Sequence, residues 1–432
     1  MRSSDIWFRP VNFVNAPDGT LYVLDMAREV LEAIHIPLDV VKHLDLKSGR
    51  ENGRIYRLAP SGFQSPAPPQ LGSAGTDELV AALESPHGWW RNTAHRLIYE
   101  RQDAAAVQPL KALLRSSDSP QARVHALWSL SGLDALADAD LIIGLADKEA
   151  GVRENAVKLA ESRLDESHDV LNRVLELAAD ENPRVRFQVA FSLGESSDAQ
   201  TAKTLFEMLL ANAGDYYMRT AVLSSAGGAA DKLIVELLNQ PEFLSSAAGG
   251  DLLNQLASII GARNRSREIG TVLETVVTHP TTSQDRGMQQ TVLRTIGTAL
   301  TRSGGSLSVD GDEFPSAARL LHESANTALT VADDDAADEA ARLQAVAFLG
   351  YLPFSETEQT LSTLLSPRQP QAIQAAAVAA LAKSSEAEIP GILLEEWRTY
   401  PPDVRKVVIE TLLSRDAWCL EFLEMAADDP VN

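Results

Sequence analysis

Cysteine is nearly missing from this sequence: Cys419 is the only one in 432 residues. A single thiol excludes an intramolecular disulfide, a Cys-x-x-Cys redox pair, a Cys-x-x-Cys-His haem attachment and a thiolate zinc site within these residues. It also leaves the compartment unreadable from redox usage. Long apolar runs are lacking too. None approaches the ~18 residues that cross a bilayer, and the opening Met1-Arg-Ser-Ser-Asp-Ile-Trp-Phe-Arg-Pro10 has no apolar core of signal-peptide length. Positive charge is scarce, with 38 Lys and Arg against 60 Asp and Glu and a net charge of −22. Met1 to Leu58 holds eight of each sign, so the whole excess falls on the remainder, 30 against 52. A nucleic-acid partner is disfavoured, because phosphate binding needs a basic stripe.

What the chain does have is apolar content, 45% hydrophobic residues, enough for a substantial core, and an internal repeat. Asp147-Lys-Glu-Ala-Gly-Val-Arg153-Glu-Asn-Ala156 and Asp180-Glu-Asn-Pro-Arg-Val-Arg186-Phe-Gln-Val189 share an acidic turn, an Arg, and small or apolar residues after it. Equivalent positions are Arg91, Arg123, Arg153, Arg186, Arg219, Asn254, Gln289, Arg342, Gln374 and Arg405, spaced 30 to 35 apart except for 53 between Gln289 and Arg342. Each is preceded by another amphipathic stretch with i, i+3, i+4, i+7 spacing, such as Val170 to Ala178. The unit is helix, turn, helix. Asp118, Asp147 and Asp180 sit where an N-cap is wanted, Pro120, Pro183 and Pro402 near the start of a second helix, and Ala94, Ala126 and Ala156 where helices approach closely. One pair cannot bury its own apolar face, so the pairs stack. The expectation is an α-solenoid of about ten pairs over residues 76–432. A Gly/Ser/Asp-rich loop insertion is expected near 302–315.

This pattern resembles HEAT repeats, and the resemblance implies that the recurring Arg is a structural ladder bonding an acidic turn residue of its own or the next repeat. Residues 1–60 have another texture. Val11 to Val14, Leu21 to Leu24 and Gly53 to Leu58 read as short strands, the first two joined by the turn Asn15-Ala-Pro-Asp-Gly19-Thr. A few strands alone are marginal in water, so this piece wants the rest of a sheet. Residues 61–75, rich in Pro, Gly and Ser, read as a linker.

The words Trp7-Phe-Arg-Pro-Val, Pro17-Asp-Gly-Thr-Leu-Tyr-Val-Leu-Asp25, His43-Leu-Asp-Leu, Gly53-Arg-Ile-Tyr-Arg-Leu and Pro86-His-Gly-Trp-Trp-Arg-Asn-Thr-Ala-His continuing to Arg101 resemble the planctomycete-type membrane-bound dehydrogenase family. There, a propeller similar to pyrroloquinoline-quinone (PQQ) sugar and sorbosone dehydrogenases leads into HEAT repeats, and many members end in a c-type haem domain. The resemblance implies that residues 1–60 are one partial blade. It implies an exported or periplasmic setting for full-length relatives. The earlier blades, which carry the catalytic His and the PQQ contacts in those relatives, are not in this sequence, and no catalytic residue carries over. Both ends read as cut, since Asp416 to Ala427 begins a further first helix without a partner.

Candidate chemistry is thin. Asp18 and Asp25 offer carboxylates for calcium, but a Pro-Asp-Gly turn explains Asp18 without a metal. Asp310-Gly-Asp-Glu313 lacks the remaining oxygens of a calcium loop. Asp333 to Glu339 is an acidic cluster suited to a helix N-terminus. His35, His43, His87, His95, His125 and His168 show no i, i+4 metal pairing, and no nucleophile triad, P-loop or dinucleotide fingerprint occurs. Trp89 and Trp90 are the candidate interaction anchors; the other reading of such a pair is a cap on the end of the solenoid core. The expectation is a non-catalytic scaffold with a protein partner and no cofactor in this chain, an acidic solenoid holding a protein or basic ligand. The alternative is the C-terminal part of a dehydrogenase-like oxidoreductase whose catalytic propeller lies elsewhere.

Overall fold

The computed structural model describes residues 3–30 and 34–428. They form two compact units, 1–189 and 190–432.

In the first unit a three-stranded antiparallel sheet, β1 (Pro10–Asn15), β2 (Leu21–Asp25) and β3 (Arg54–Leu58), runs in the order β1-β2-β3, with a one-turn helix α1 (Leu38–Val41) in the second connection. The β1–β2 turn closes as its residue types require. Gly19 adopts φ +80°, and Asp18 Oδ1 accepts from the backbone N–H of Thr20 at 3.0 Å and from its hydroxyl at 2.6 Å. A register shift at Val11 bends β1, all six of whose residues are exposed. The helix pairs follow: α2 (Thr76–Ala82) with α3 (Gly88–Arg101), α4 (Val107–Ser116) with α5 (Pro120–Gly132), α6 (Asp138–Leu145) with α7 (Ala150–Ala160), and α8 (His168–Glu176) with α9 (Pro183–Ser192). First helices pack on first helices, α2 on α4, α4 on α6 and α6 on α8; second helices likewise, α3 on α5 and α5 on α7.

Leu110, Leu114, Leu127 and Leu130 are at most 1% exposed, each such side chain contributing roughly 1.5–3 kcal/mol. Ala94, Ala126 and Ala156 are wholly buried, and a Cβ on Gly144 would come within 2.9 Å of Ala156 Cβ, so small side chains do set the closest approach. The prolines sit at the first turn of α5, α9 and α22 (Pro402–Leu412). The aspartates correct the sequence reading. Asp118, Asp147 and Asp180 are not the caps. Ser119 caps α5 through a bond from Ala122 N, while Asp147 and Asp180 stand two residues ahead of the caps of α7 and α9 and accept from Glu149 N and Asn182 N. Their outer oxygens are thereby free for another partner. The linker at 61–75 forms no regular element, yet its end is fastened: the Arg101 guanidinium donates to the carbonyls of Gly72 and Ala74, and Leu71 is buried.

The second unit continues the pairs: α10 (Ala199–Ala211) with α11 (Tyr216–Ser225); α12 (Ala230–Leu238), a single turn α13 (Pro241–Leu244), then α14 (Ala247–Arg263); α15 (Ser266–Thr278) with α16 (Arg286–Arg302); α17 (Pro315–Asp333) with α18 (Glu339–Leu349); α19 (Phe354–Thr363) with α20 (Gln371–Leu381); α21 (Ile389–Glu395) with α22, and last α23 (Asp416–Asp428). All ten aligned Arg, Asn and Gln positions fall on second helices. The long spacing before Arg342 has two sources, the 19-residue α17 and a loop at 303–314. That loop does not simply project into solvent. Leu307 is fully buried and its N–H donates to Tyr351 O at 2.6 Å, while Phe314 lies where a side chain on Gly270 would be.

Candidate protein-interaction surface

The recurring Arg is a turn clamp. In the first unit Arg91, Arg123, Arg153 and Arg186 each donate to a backbone carbonyl six residues back, on Ser85, Ser117, Asp147 and Asp180, at 2.6–2.8 Å. Arg123 and Arg153 also reach forward, forking onto both oxygens of Asp147 (2.6 and 2.9 Å) and Asp180 (2.7 and 2.8 Å). A bidentate guanidinium–carboxylate pair is among the stronger side-chain contacts, and one guanidinium here welds two successive turns. Burial works against the charge of Asp180, and Arg153 with the Asn182 N–H more than offsets it, holding that carboxyl below its usual range. In the second unit the clamp survives a change of residue. Gln289 donates to Thr282 O and Ser283 O, Gln374 to Leu365 O and Ser366 O, Arg342 to Ala332 O and to Asp335, and Arg405 to Arg398 O. What these positions share is satisfaction of turn carbonyls; the acidic partner is an addition at some repeats. Arg219 departs, its guanidinium lying over the Tyr216 ring at 6.0 Å.

The two tryptophans separate in role. Trp90 turns inward: its indole N–H donates to Pro17 O at 2.8 Å and its ring meets His87 at 4.3 Å, fastening the β1–β2 turn to α3. Trp89 stays on the surface, 39% exposed. Tyr99 further along α3 and Trp128 on α5, which sequence reasoning missed, are exposed as well. Trp128 is held in one orientation, its N–H donating to Asn155 Oδ1 at 2.9 Å while the Asn155 amide donates to Gly151 O. Tyr99 lies over Gly132, where a Cβ would fall 2.7 Å from the ring. The signal available in the sequence was the repeat register: in adjoining repeats the equivalents of Trp89, Tyr99 and Trp128 are Gln121, Ser131 and Arg96, all polar.

A recess of about 320 Å³ opens between the starts of α5 and α7, where Arg91, Gln121, His125, Glu149 and Asn155 alternate with Pro120, Val124 and Val152. Arg91 Nε is buried and has no hydrogen-bond acceptor there among the described residues, a donor with unmet capacity. His95 and His125, about one repeat apart, meet with ring centroids 5.2 Å apart, and His95 Nδ1 is 2.9 Å from the buried Ser129 hydroxyl. Burial pushes both imidazoles down, His125 to about 4 with help from His95 and Arg91. They are neutral at physiological pH, so the recess has no titrating acid or base poised near 7.

The acidic surplus is not on this surface. Second helices carry more Lys and Arg than Asp and Glu, and α5, α9, α11 and α16 contain no carboxylate. Most of the negative charge lies on first helices and turns, where part of it caps helices and pairs with the clamps.

The carboxylates considered for calcium are engaged. Asp18 pairs with Arg57 at 2.8 Å besides closing its turn. Asp25, 3% exposed, accepts from the N–H of Arg9 and Ala27 and from the Arg54 guanidinium. Burial of Asp25 opposes its charge and these donors overcome it, keeping it below the usual carboxylate range. Asp310 accepts from the N–H groups of Asp312 and Glu313, and Asp338 caps α18 by accepting from Ala341 N. The lone Cys419 cannot make a thioether pair for haem c within this chain.

Comparison with known proteins follows the two textures. A family model described as a domain of unknown function (DUF7133) matches residues 1–62, and one described as HEAT repeats matches residues 139–227. No curated protein matches the chain. Among solved structures, Kap121p bound to Pho4p is similar at 12% identity, over 79% of this chain and 46% of that one, with a TM-score of 0.44. The C-terminal fragment of the Chaetomium thermophilum cohesin loader SCC2 is similar at 13% identity, over 82% of this chain and 35% of its own, with a TM-score of 0.27. This chain spans less than half the length of either. The helical part is a HEAT-like α-solenoid, on the strength of its stacked pairs and the repeat match. Among the described residues no helix is long and apolar enough to cross a membrane.

Proposed function

We propose that this chain is a non-catalytic interaction module that takes a protein segment on the second-helix surface of α3, α5 and α7. The observation that carries the reading is the exposed aromatics of α3 and α5, Trp89, Tyr99 and Trp128, with Trp128 bonded to Asn155 at the edge of a recess that also takes in Arg91, whose Nε has no acceptor among the described residues. Aromatic anchors beside a desolvated polar pocket are where binding energy concentrates, ~2 kcal/mol or more per hot-spot residue. The cationic balance of these helices favours a segment bearing backbone carbonyls or carboxylates toward them. The test is cross-linking in source-cell extract with quantitative mass spectrometry, run in parallel on wild type and on Trp89→Ala/Trp128→Ala. A partner depleted at least about ten-fold by the double variant supports the reading; identical partner sets overturn it.

A second reading has its own observation. Phe13, Val14, Ile55 and Leu58 are 41–69% exposed on a sheet of only three strands, a surface that further β structure would cover. On that reading the chain is the C-terminal part of a dehydrogenase-like oxidoreductase in an exported setting, with PQQ and haem c held by parts outside it. An immunoblot of source cells against the solenoid decides. A band well above 46.7 kDa, with in-frame propeller sequence upstream, supports this reading, and a band at that mass overturns it.

A further inference from the structure

The second-helix row of the C-terminal unit contains a cleft. α16 packs on α14, and α18 packs on α20, but the space between α16 and α18 has a first helix, α17, as its floor. The cavity is about 540 Å³. One wall is basic: Arg286 and Arg294 stand two turns apart on α16, a helix without a carboxylate. The floor and the other wall are mixed: Ala328 and Val331 from α17 and Ala345 and Phe348 from α18 supply apolar surface among Glu323, Ser324, Thr327 and Gln344. Arg286 is taken by Glu323 at 2.9 Å. Arg294 is exposed, and its side chain makes no hydrogen bond or ion pair among the described residues. A segment that fits must bring a carboxylate and apolar side chains on one face, since covering Arg294 without a counter-charge is costly.

The same chain presents such a face. α23 contains Asp416, Glu421, Glu424 and Asp428 and no cation. Its inner side is spent on the solenoid, with Trp418 3% exposed and Phe422 edge-on to Trp397. Its outer side exposes Leu420 by 62% and Leu423 by 54%, and Asp416, Leu420, Leu423 and Glu424 share that side by helical spacing. Two α23 helices placed face to face would oppose like charges; the cleft offers the Arg294 cation with Ala328, Val331, Ala345 and Phe348 as apolar contacts. We propose that α23 of one copy docks in the α16–α18 cleft of a second copy, its leucines on Ala328, Val331 and Phe348 and Glu424 against Arg294.

Donor face and acceptor cleft are different surfaces, so the contact is heterologous and propagates head to tail. A helix face two to three turns long buries well under the ~1,600 Å² of a stable interface, so association belongs in the micromolar range or weaker. The test is the full chain in light scattering and sedimentation velocity from about 5 to 200 µM, with Arg294→Glu, Glu424→Arg and the two combined. Both substituted side chains are exposed, and circular dichroism checks the fold. The expected result is a weight-average mass that rises with concentration and falls with added salt, is lost in each single variant and returns in the charge-swapped double. A wild type monomeric at 200 µM overturns the proposal, as does association that both single variants leave intact or that the double fails to restore.

Discussion

The sheet and the helix pairs of the first unit are built from similar proportions of apolar residues and end in opposite conditions. In the pairs, Leu110, Leu114, Leu127 and Leu130 are shielded to 1% or less, because each helix lies between its partner and its row neighbours. In the sheet only Val23 and a few flanking residues are shielded, and Phe13 and Ile55 remain 58% and 69% exposed. A repeat completes its core by adding copies of itself, whereas a three-stranded sheet needs another layer.

The comparison breaks most visibly through the core. Leu127→Ala should cost about 3 kcal/mol, since the removed methyls sit against Gly144 and leave a cavity, whereas Phe13→Ala should cost under about 0.5 kcal/mol; urea midpoints for the two variants measure the contrast. Next is the clamp. Arg123→Ala leaves the Asp147 side chain, 7% exposed, without its counter-charge, and about 3 kcal/mol should be lost. Arg54→Ala removes a partner from the equally hidden Asp25 but leaves its two backbone donors, so a smaller drop in midpoint is expected.

Acidification sharpens the contrast, because the sheet has no buried histidine. His95 and His125 are depressed in the fold, so between about pH 6.5 and about 4 the unfolded chain binds protons that the folded chain refuses. Their contribution is intact above about 6.5 and is lost as pH falls toward about 4. With His125 partly exposed, about 1 kcal/mol should disappear by pH 5, and His125→Gln should flatten that slope in thermal melts. The smallest effect concerns the joint between the two regions. Trp90→Phe removes the bond to Pro17 O at about 1 kcal/mol or less; faster amide exchange at 16–20, with α5 unchanged, is the expected outcome, and unchanged exchange would show that the sheet is held elsewhere.

Much of this was legible in the residues alone. The period near 33, the ten aligned positions, the prolines at second-helix starts and the strand-turn-strand at 10–25 follow from local rules: 3.6-residue amphipathicity, proline's missing N–H, and Asp-Gly turn chemistry. The clamp was legible as an Arg but not as a device for turn carbonyls, because only the fold shows that Gln289 and Gln374 do the same work. The Asp147 and Asp180 side chains were misread as caps, since one-dimensional spacing cannot say whether a carboxylate serves the helix after it or the Arg of the repeat before it. The Trp128–Asn155 bond, the His95–His125 stack and the α16–α18 cleft were beyond reach for a related reason. The residues that meet there are about 30 or more positions apart, and their proximity depends on which faces the stacked helices turn to each other. Sequence determined the elements, their count and the sign of their charge, because those depend on neighbours within a turn or two. Tertiary structure alone decided which aromatics stay in water, which carboxylates are spent and where a helix row opens, because burial and electrostatic pairing depend on distances that only the packed chain defines.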